Sequence, residues 1–137
     1  MRTFVTFEHP SIEEGRFDSH GELIPGGRPI LDAVRDRMAQ RGHSVTEVEE
    51  HESYGWCFYT EVHATRVWSM LQFAEPWLII VEVPVRWLQR LKGRRVDDAQ
   101  QCVCLDLHEV LSAIPDARNV RWYTRSEFGR GNGSPVP

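Results

Sequence analysis

The run "GWCFYTEVHATRVWSMLQFAEPWLIIVEV" (residues 55–83) alternates its large side chains strongly enough to be tested as three antiparallel strands. With His63 and Ala64 as the two central residues of a hairpin turn, Trp56 falls opposite Leu71, Phe58 opposite Ser69 and Thr60 opposite Val67. The alternate positions pair Cys57 with Met70, Tyr59 with Trp68 and Glu61 with Arg66. A three-residue loop over Ala74, Glu75 and Pro76 then sets Phe73 against Trp77, Leu71 against Ile79 and Ser69 against Val81. It also places Met70 beside Ile80 and Trp68 beside Glu82. Both turns assign Trp56, Phe58, Val67, Leu71, Phe73, Trp77, Ile79, Val81 and Val83 to one face. A slip of one residue in either hairpin would move that whole set to the other side. The other face mixes Cys57, Tyr59, Trp68, Met70, Leu78 and Ile80 with Glu61, Arg66, Gln72 and Glu82. His-Ala is an unusual turn, because a two-residue hairpin loop favours Gly or Asn.

Upstream, "TFVTFEH" (residues 3–9) reads as a strand, and residues 10–29 as a long loop punctuated by Gly and Pro. From Pro29 the spacing becomes helical, with Ile30, Leu31, Val34 and Met38 on one side and Gly42 as the stop. "SVTEVEE" (residues 44–50) reads as a strand with an acidic edge. Downstream, "VRWLQRLKGRR" (residues 85–95) is a basic amphipathic segment, a short helix or a charged connector. Residues 97–115 predict a second helix, with Asp97 and Asp98 near its positive N-terminal end and Pro115 ending it. "NVRWYTR" (residues 119–125) closes as a strand. The order β-α-β-β-β-β-α-β predicts an α+β fold, a two-layer sandwich of a mainly antiparallel sheet with two helices on one face. Its helical crossovers could set the first and last strands parallel to a neighbour. The expected division is one domain over residues 1–128 and a flexible tail over 129–137.

Bulk properties narrow the function classes. A chain of 137 residues with 41% hydrophobic residues and five tryptophans can bury a core without staples. Its net charge of −4 makes a nucleic-acid partner unlikely on electrostatic grounds. No apolar run is long enough to span a bilayer, and the first ten residues carry no secretory h-region. Three cysteines are too few and odd in number for a disulfide framework, which makes a cytoplasmic location the default. No membrane role and no cofactor are expected.

"YGWCF", "PWLIIVE" and "VRWY" together resemble a group of small uncharacterised bacterial proteins without an established activity. The resemblance implies a compact α+β domain in a bacterial cytoplasm and transfers no catalytic residues. In style and size the chain is also similar to immunity proteins that neutralise bacterial toxins.

Motifs for chemistry are sparse. "EVEEHES" (residues 47–53) gathers acids and a histidine, but adjacent strand residues such as Glu49 and Glu50 point to opposite faces, against convergence on a metal. Cys102 and Cys104 lie two apart on a helix and read as small buried hydrophobes. Cys57 lacks a family-specific Cys-His signature, and "PGGRP" (residues 25–29) lacks a phosphate-binding fingerprint. The basic segment carries Arg86, Arg90, Lys92, Arg94 and Arg95, with Trp87 as an anchor for an anionic surface, and otherwise reads as a solvated face. The expected role is therefore a non-enzymatic protein-binding domain, an immunity-like toxin inhibitor, or a homodimer through the same surface. Its partner-binding residues are Glu47, Glu49, Glu50 and Glu52 on the acidic edge, with Tyr59, Trp68, Met70 and Ile80 on the aromatic face. The alternative is a small enzyme or ligand-binding protein with a pocket under the 11–28 loop, using His20, Glu13, Glu14, Asp18 and Arg28.

Overall fold

The computed structural model describes residues 1–11, 15–52, 54–84 and 94–137. The register deduced for the central strands is the one observed. β6 (Gly55–Val62) pairs with β7 (Thr65–Phe73), and β7 with β8 (Trp77–Glu82), in every pairing stated above. His63 and Ala64 form the turn with φ of 47° and 65°. Two successive left-handed residues are what the twist of a tight hairpin requires, and here the tertiary sheet imposes them on residues that do not prefer them.

The remaining strands are β1 (Phe4–Glu8), a two-stranded hairpin of β2 (Arg16–Phe17) and β3 (Leu23–Ile24), then β4 (Ser44–Val45), β5 (Glu49–His51) and β9 (Arg118–Tyr123). Among the described residues the main sheet has seven strands in the order β4-β6-β7-β8-β1-β9, with β5 also on β6, and every pairing is antiparallel. The first and last strands are thus antiparallel to their neighbours. The crossover through the second helix connects β8 to β9, and β1 fills the place between them, so the parallel partners are one strand apart.

The single strand expected over residues 44–50 is broken. Ser44–Val45 and Glu49–His51 pair with β6 in registers that differ by one residue. In the break the Thr46 hydroxyl accepts from the Tyr59 N–H at 2.9 Å, and Val48 turns into the core. The long loop contains the β2–β3 hairpin, in which the Asp18 carboxylate accepts from the His20 and Glu22 N–H groups.

Helix α1 (Arg28–Gln40) buries Ile30, Leu31, Val34 and Met38, as its periodicity predicts. Helix α2 (Arg94–Ala113) buries Val96, Ala99, Val103, Cys104, Leu107, Val110 and Leu111. Both pack on the face carrying Trp56, Phe58, Val67, Leu71, Trp77, Ile79 and Val81, joined by Val5 and Phe7 of β1 and Trp122 of β9. The basic segment expected before α2 falls mainly at residues 85–93, outside the described residues. Phe73 departs from the deduced core: at the last position of β7 it is 56% exposed and packs edge-to-face with Trp77.

Two glycines hold close approaches. A Cβ on Gly27, whose φ is 98°, would lie 2.6 Å from the Trp77 ring where α1 begins. A Cβ on Gly55 would lie 2.5 Å from the Leu71 carbonyl and 2.9 Å from the Met70 sulfur. Gly55→Ala is therefore expected to cost about 2–3 kcal/mol by overpacking. Ala64→Gly should stabilise by about 1 kcal/mol, since glycine adopts the left-handed turn without penalty. Both are read as shifts of the urea midpoint at constant slope, and a neutral Ala64→Gly would refute the turn geometry.

Candidate functional site

The sheet face away from the helices is ordered in rows by the strand register. Glu49, Cys57, Met70, Ile80, Phe4 and Tyr123 form one complete row from edge to edge. Tyr59, Trp68 and Glu82 form the next. Tyr59, Trp68 and Ile80 are half-buried, whereas Met70, expected to lie open, is only 4% exposed. Its sulfur lies over Gly55, where the missing side chain leaves a notch for it.

The far end of this face is closed by the protein's own C-terminal segment. Thr124 and Glu127 form reciprocal side-chain to backbone bonds, 2.9 and 3.2 Å, that turn the chain back. Phe128 then packs against Phe4 in a tilted contact and against Tyr123 edge-to-face, with ring centroids 5.3 and 5.8 Å apart. Further on, within the stretch expected to be a flexible tail, Ser134 exchanges both backbone hydrogen bonds with Trp122, at 2.7 and 2.8 Å. The "TRSE" pattern that starts this return is a capping-box signal legible in the sequence.

At the opposite end, among the described residues, Tyr59, Trp68 and His51 stay half-buried and Tyr54 is exposed. The His51 ring meets the edges of Trp68 and Tyr54, with centroids 4.9 and 5.3 Å apart, and Arg66 lies over Tyr59 at 4.3 Å. Histidine 51 and Tyr54 were not among the residues anticipated for this patch. Their part depends on β5 sitting beside β6, which brings residue 51 level with Gly55, a residue with no side chain in the way. Glu47, Glu49, Glu50 and Glu52 are all exposed. Arg35 binds the Glu47 carboxylate at 3.2 Å, while Glu49, Glu50 and Glu52 have no ion pair among the described residues. The acids are not on one face: Glu49 belongs to the aromatic side and Glu50, opposite Trp56, to the helix side.

On that helix side lies a cleft of about 360 Å³ lined by Arg16, Asp18, Ile24, Pro25, Gly26, Arg28, Pro29, Glu50 and Trp56. A pocket beside the 11–28 loop therefore exists, and Asp18 and Arg28 reach it. His20 is exposed and does not line it, and Glu13 and Glu14 lie outside the described residues. Arg28 stacks on Trp56 at 5.2 Å and pairs with Asp32, and the Trp56 indole donates to the Pro25 carbonyl at 2.8 Å.

The cysteines are set up as thiols. Burial raises the Cys57 pKa; a hydrogen bond with Trp68 opposes this and the Glu49 charge adds to it. Burial pushes Cys104 up to about 12, and burial with the Asp106 charge raises Cys102. A thiolate nucleophile needs the reverse shift. Among the described residues no three His, Cys, Asp or Glu side chains converge as a metal would require. No helix among them is long and apolar enough to cross a membrane.

One polar cluster has no sequence signal because its members are more than sixty residues apart. Asp106 of α2 binds the His43 imidazole and, at 3.1 Å, Arg41, clasping the end of α1 to α2. Partial burial disfavours its charge, but the hydrogen bonds and charges of His43 and Arg41 outweigh it and hold the carboxyl below its usual range.

Compared with protein-family models, curated proteins and solved structures, the chain matches none.

Because the folded pKa of Asp106 is depressed, its contribution is complete above the unfolded value near about 4 and is lost as pH falls through the folded one. Asp106→Asn should cost about 1 kcal/mol at neutral pH. In urea titrations the gap from the parent protein should shrink as pH falls below the unfolded value; a gap independent of pH would refute the clasp.

Proposed function

We propose that this chain is a protein-binding domain that engages a basic partner at the open end of its sheet. The observation that carries the reading is the adjacency of exposed carboxylates at Glu49 and Glu52, which have no ion pair among the described residues, to a cluster of half-buried Trp68 and His51 with the exposed Tyr54. Carboxylates on a rim accelerate and orient encounter, and a packed aromatic group supplies the contact that slows dissociation. Tyr59, with Arg66 across its ring, extends the contact surface. Met70 supports this surface from beneath instead of touching the partner, since it is buried. The raised cysteine pKa values favour binding over thiol catalysis.

The biological form we favour is an inhibitor of a basic toxin, as in bacterial immunity proteins. Such a domain needs a rigid surface and no chemistry of its own. The product of a neighbouring toxin gene should form a complex with this chain, and co-expression should protect cells. Trp68→Ala should weaken that complex by about 30-fold or more. Joint replacement of Glu49 and Glu52 by Gln should chiefly slow association and flatten its salt dependence. Absence of both complex and protection overturns the toxin-inhibitor form, and a complex indifferent to these substitutions overturns the proposed surface. A dimer in a mass measurement, lost on Trp68→Ala, would identify a second copy as the occupant.

A further inference from the structure

The two edges of the main sheet are treated differently. At β9 the outer side is taken by Ser134, which exchanges both backbone bonds with Trp122. At the other edge β5 pairs with β6, and among the described residues no strand lies beyond it. Natural sheets commonly guard such an edge with charge, and a row of carboxylates repels another copy of the same acidic edge. The same row attracts a basic segment. Charge here selects among occupants and does not simply close the edge.

Side chains alternate along any strand added beside β5. A residue placed opposite Glu50 would face the helix side, where Ile24, Pro25 and Trp56 line the cleft together with Arg16, Asp18 and Arg28. Its two neighbours would face the aromatic side, opposite Glu49 and His51. An open edge, a cleft in phase with its middle residue and the Glu49 carboxylate in phase with one neighbour make a template for an apolar residue beside a basic one.

Building on the reading of the chain as a protein-binding domain, we propose that β5 accepts an extended basic segment of its partner as an added strand, one apolar side chain of which enters the cleft beside Trp56. Main-chain hydrogen bonds to β5 supply affinity, and the cleft with Glu49 supplies selectivity. The left-handed Glu52, with φ of 50°, and the register break after Val45 bound the template to a few residues. The partner's segment is accordingly short.

The test uses the full chain and a ten-residue peptide alternating lysine and leucine, beside the same peptide N-methylated at alternate residues and a lysine–serine version. The unmodified peptide should bind at low ionic strength and slow hydrogen exchange of backbone amides in residues 49–51. N-methylation on the edge that meets β5 keeps the charge but removes main-chain donors, and should weaken binding by at least about ten-fold. The lysine–serine peptide should bind more weakly than the lysine–leucine one, and Glu49→Gln with Glu52→Gln should weaken both. Equal binding of the methylated peptide without amide protection overturns strand addition while leaving an acidic protein-binding surface standing. No binding of the unmodified peptide also overturns strand addition; the reading as a binding domain is then decided separately by the toxin complex and its Trp68→Ala variant.

Discussion

The register of β6 against β7 is the constraint on which the rest of the molecule depends. Each strand places alternate residues on opposite faces, so the pairing of Trp56 with Leu71 and of Phe58 with Ser69 decides which side the helices can cover. The row Trp56–Leu71–Ile79–Val5–Trp122 then crosses the sheet without interruption, and α1 and α2 seal it. The turn that holds this register is poor in local terms, with His63 and Ala64 both left-handed. Burial of apolar side chains along two long strands outweighs a turn penalty of a few kcal/mol.

The same register creates the surface on which the functional reading rests. Residues displaced from the helical face have to be accommodated on the other, and the protein does so unevenly. Phe4 and Tyr123 are covered by Phe128, and Met70 fills the notch over Gly55. Tyr59 and Trp68 retain partial exposure next to carboxylates. On the proposed reading, such a gradient, from a face closed by the chain itself to an edge bordered by charge, concentrates recognition at β5. The cleft between α1 and the β2–β3 hairpin is lined in part by Glu50 of that same edge strand.

How legible the site was follows from the kind of interaction involved. Tyr59 and Trp68 are placed by strand alternation, and that could be read directly. Met70 was misjudged as open because its burial depends on a glycine fifteen residues away and on the direction in which a flexible thioether leans. His51 and Tyr54 acquire meaning only once β5 is docked on β6 after a one-residue register break, which alternation cannot foresee. The Asp106 clasp joins residues with no local relation at all. The Thr124–Glu127 turn was legible in principle, as a capping box, although its consequence for Phe4 was not.

By itself, then, the order of residues determined the two helices, the central strand pairings and the α+β architecture, because these follow from periods of 3.6 and 2 acting over neighbouring residues. Only the tertiary structure decided that β1 lies between β8 and β9, that the C-terminal segment pairs along one edge, and that at the other edge, beside a cleft, no strand among the described residues lies beyond β5. Those outcomes depend on which elements meet across long loops. Their contact energies are shared among many residues, and no short stretch of the chain records them.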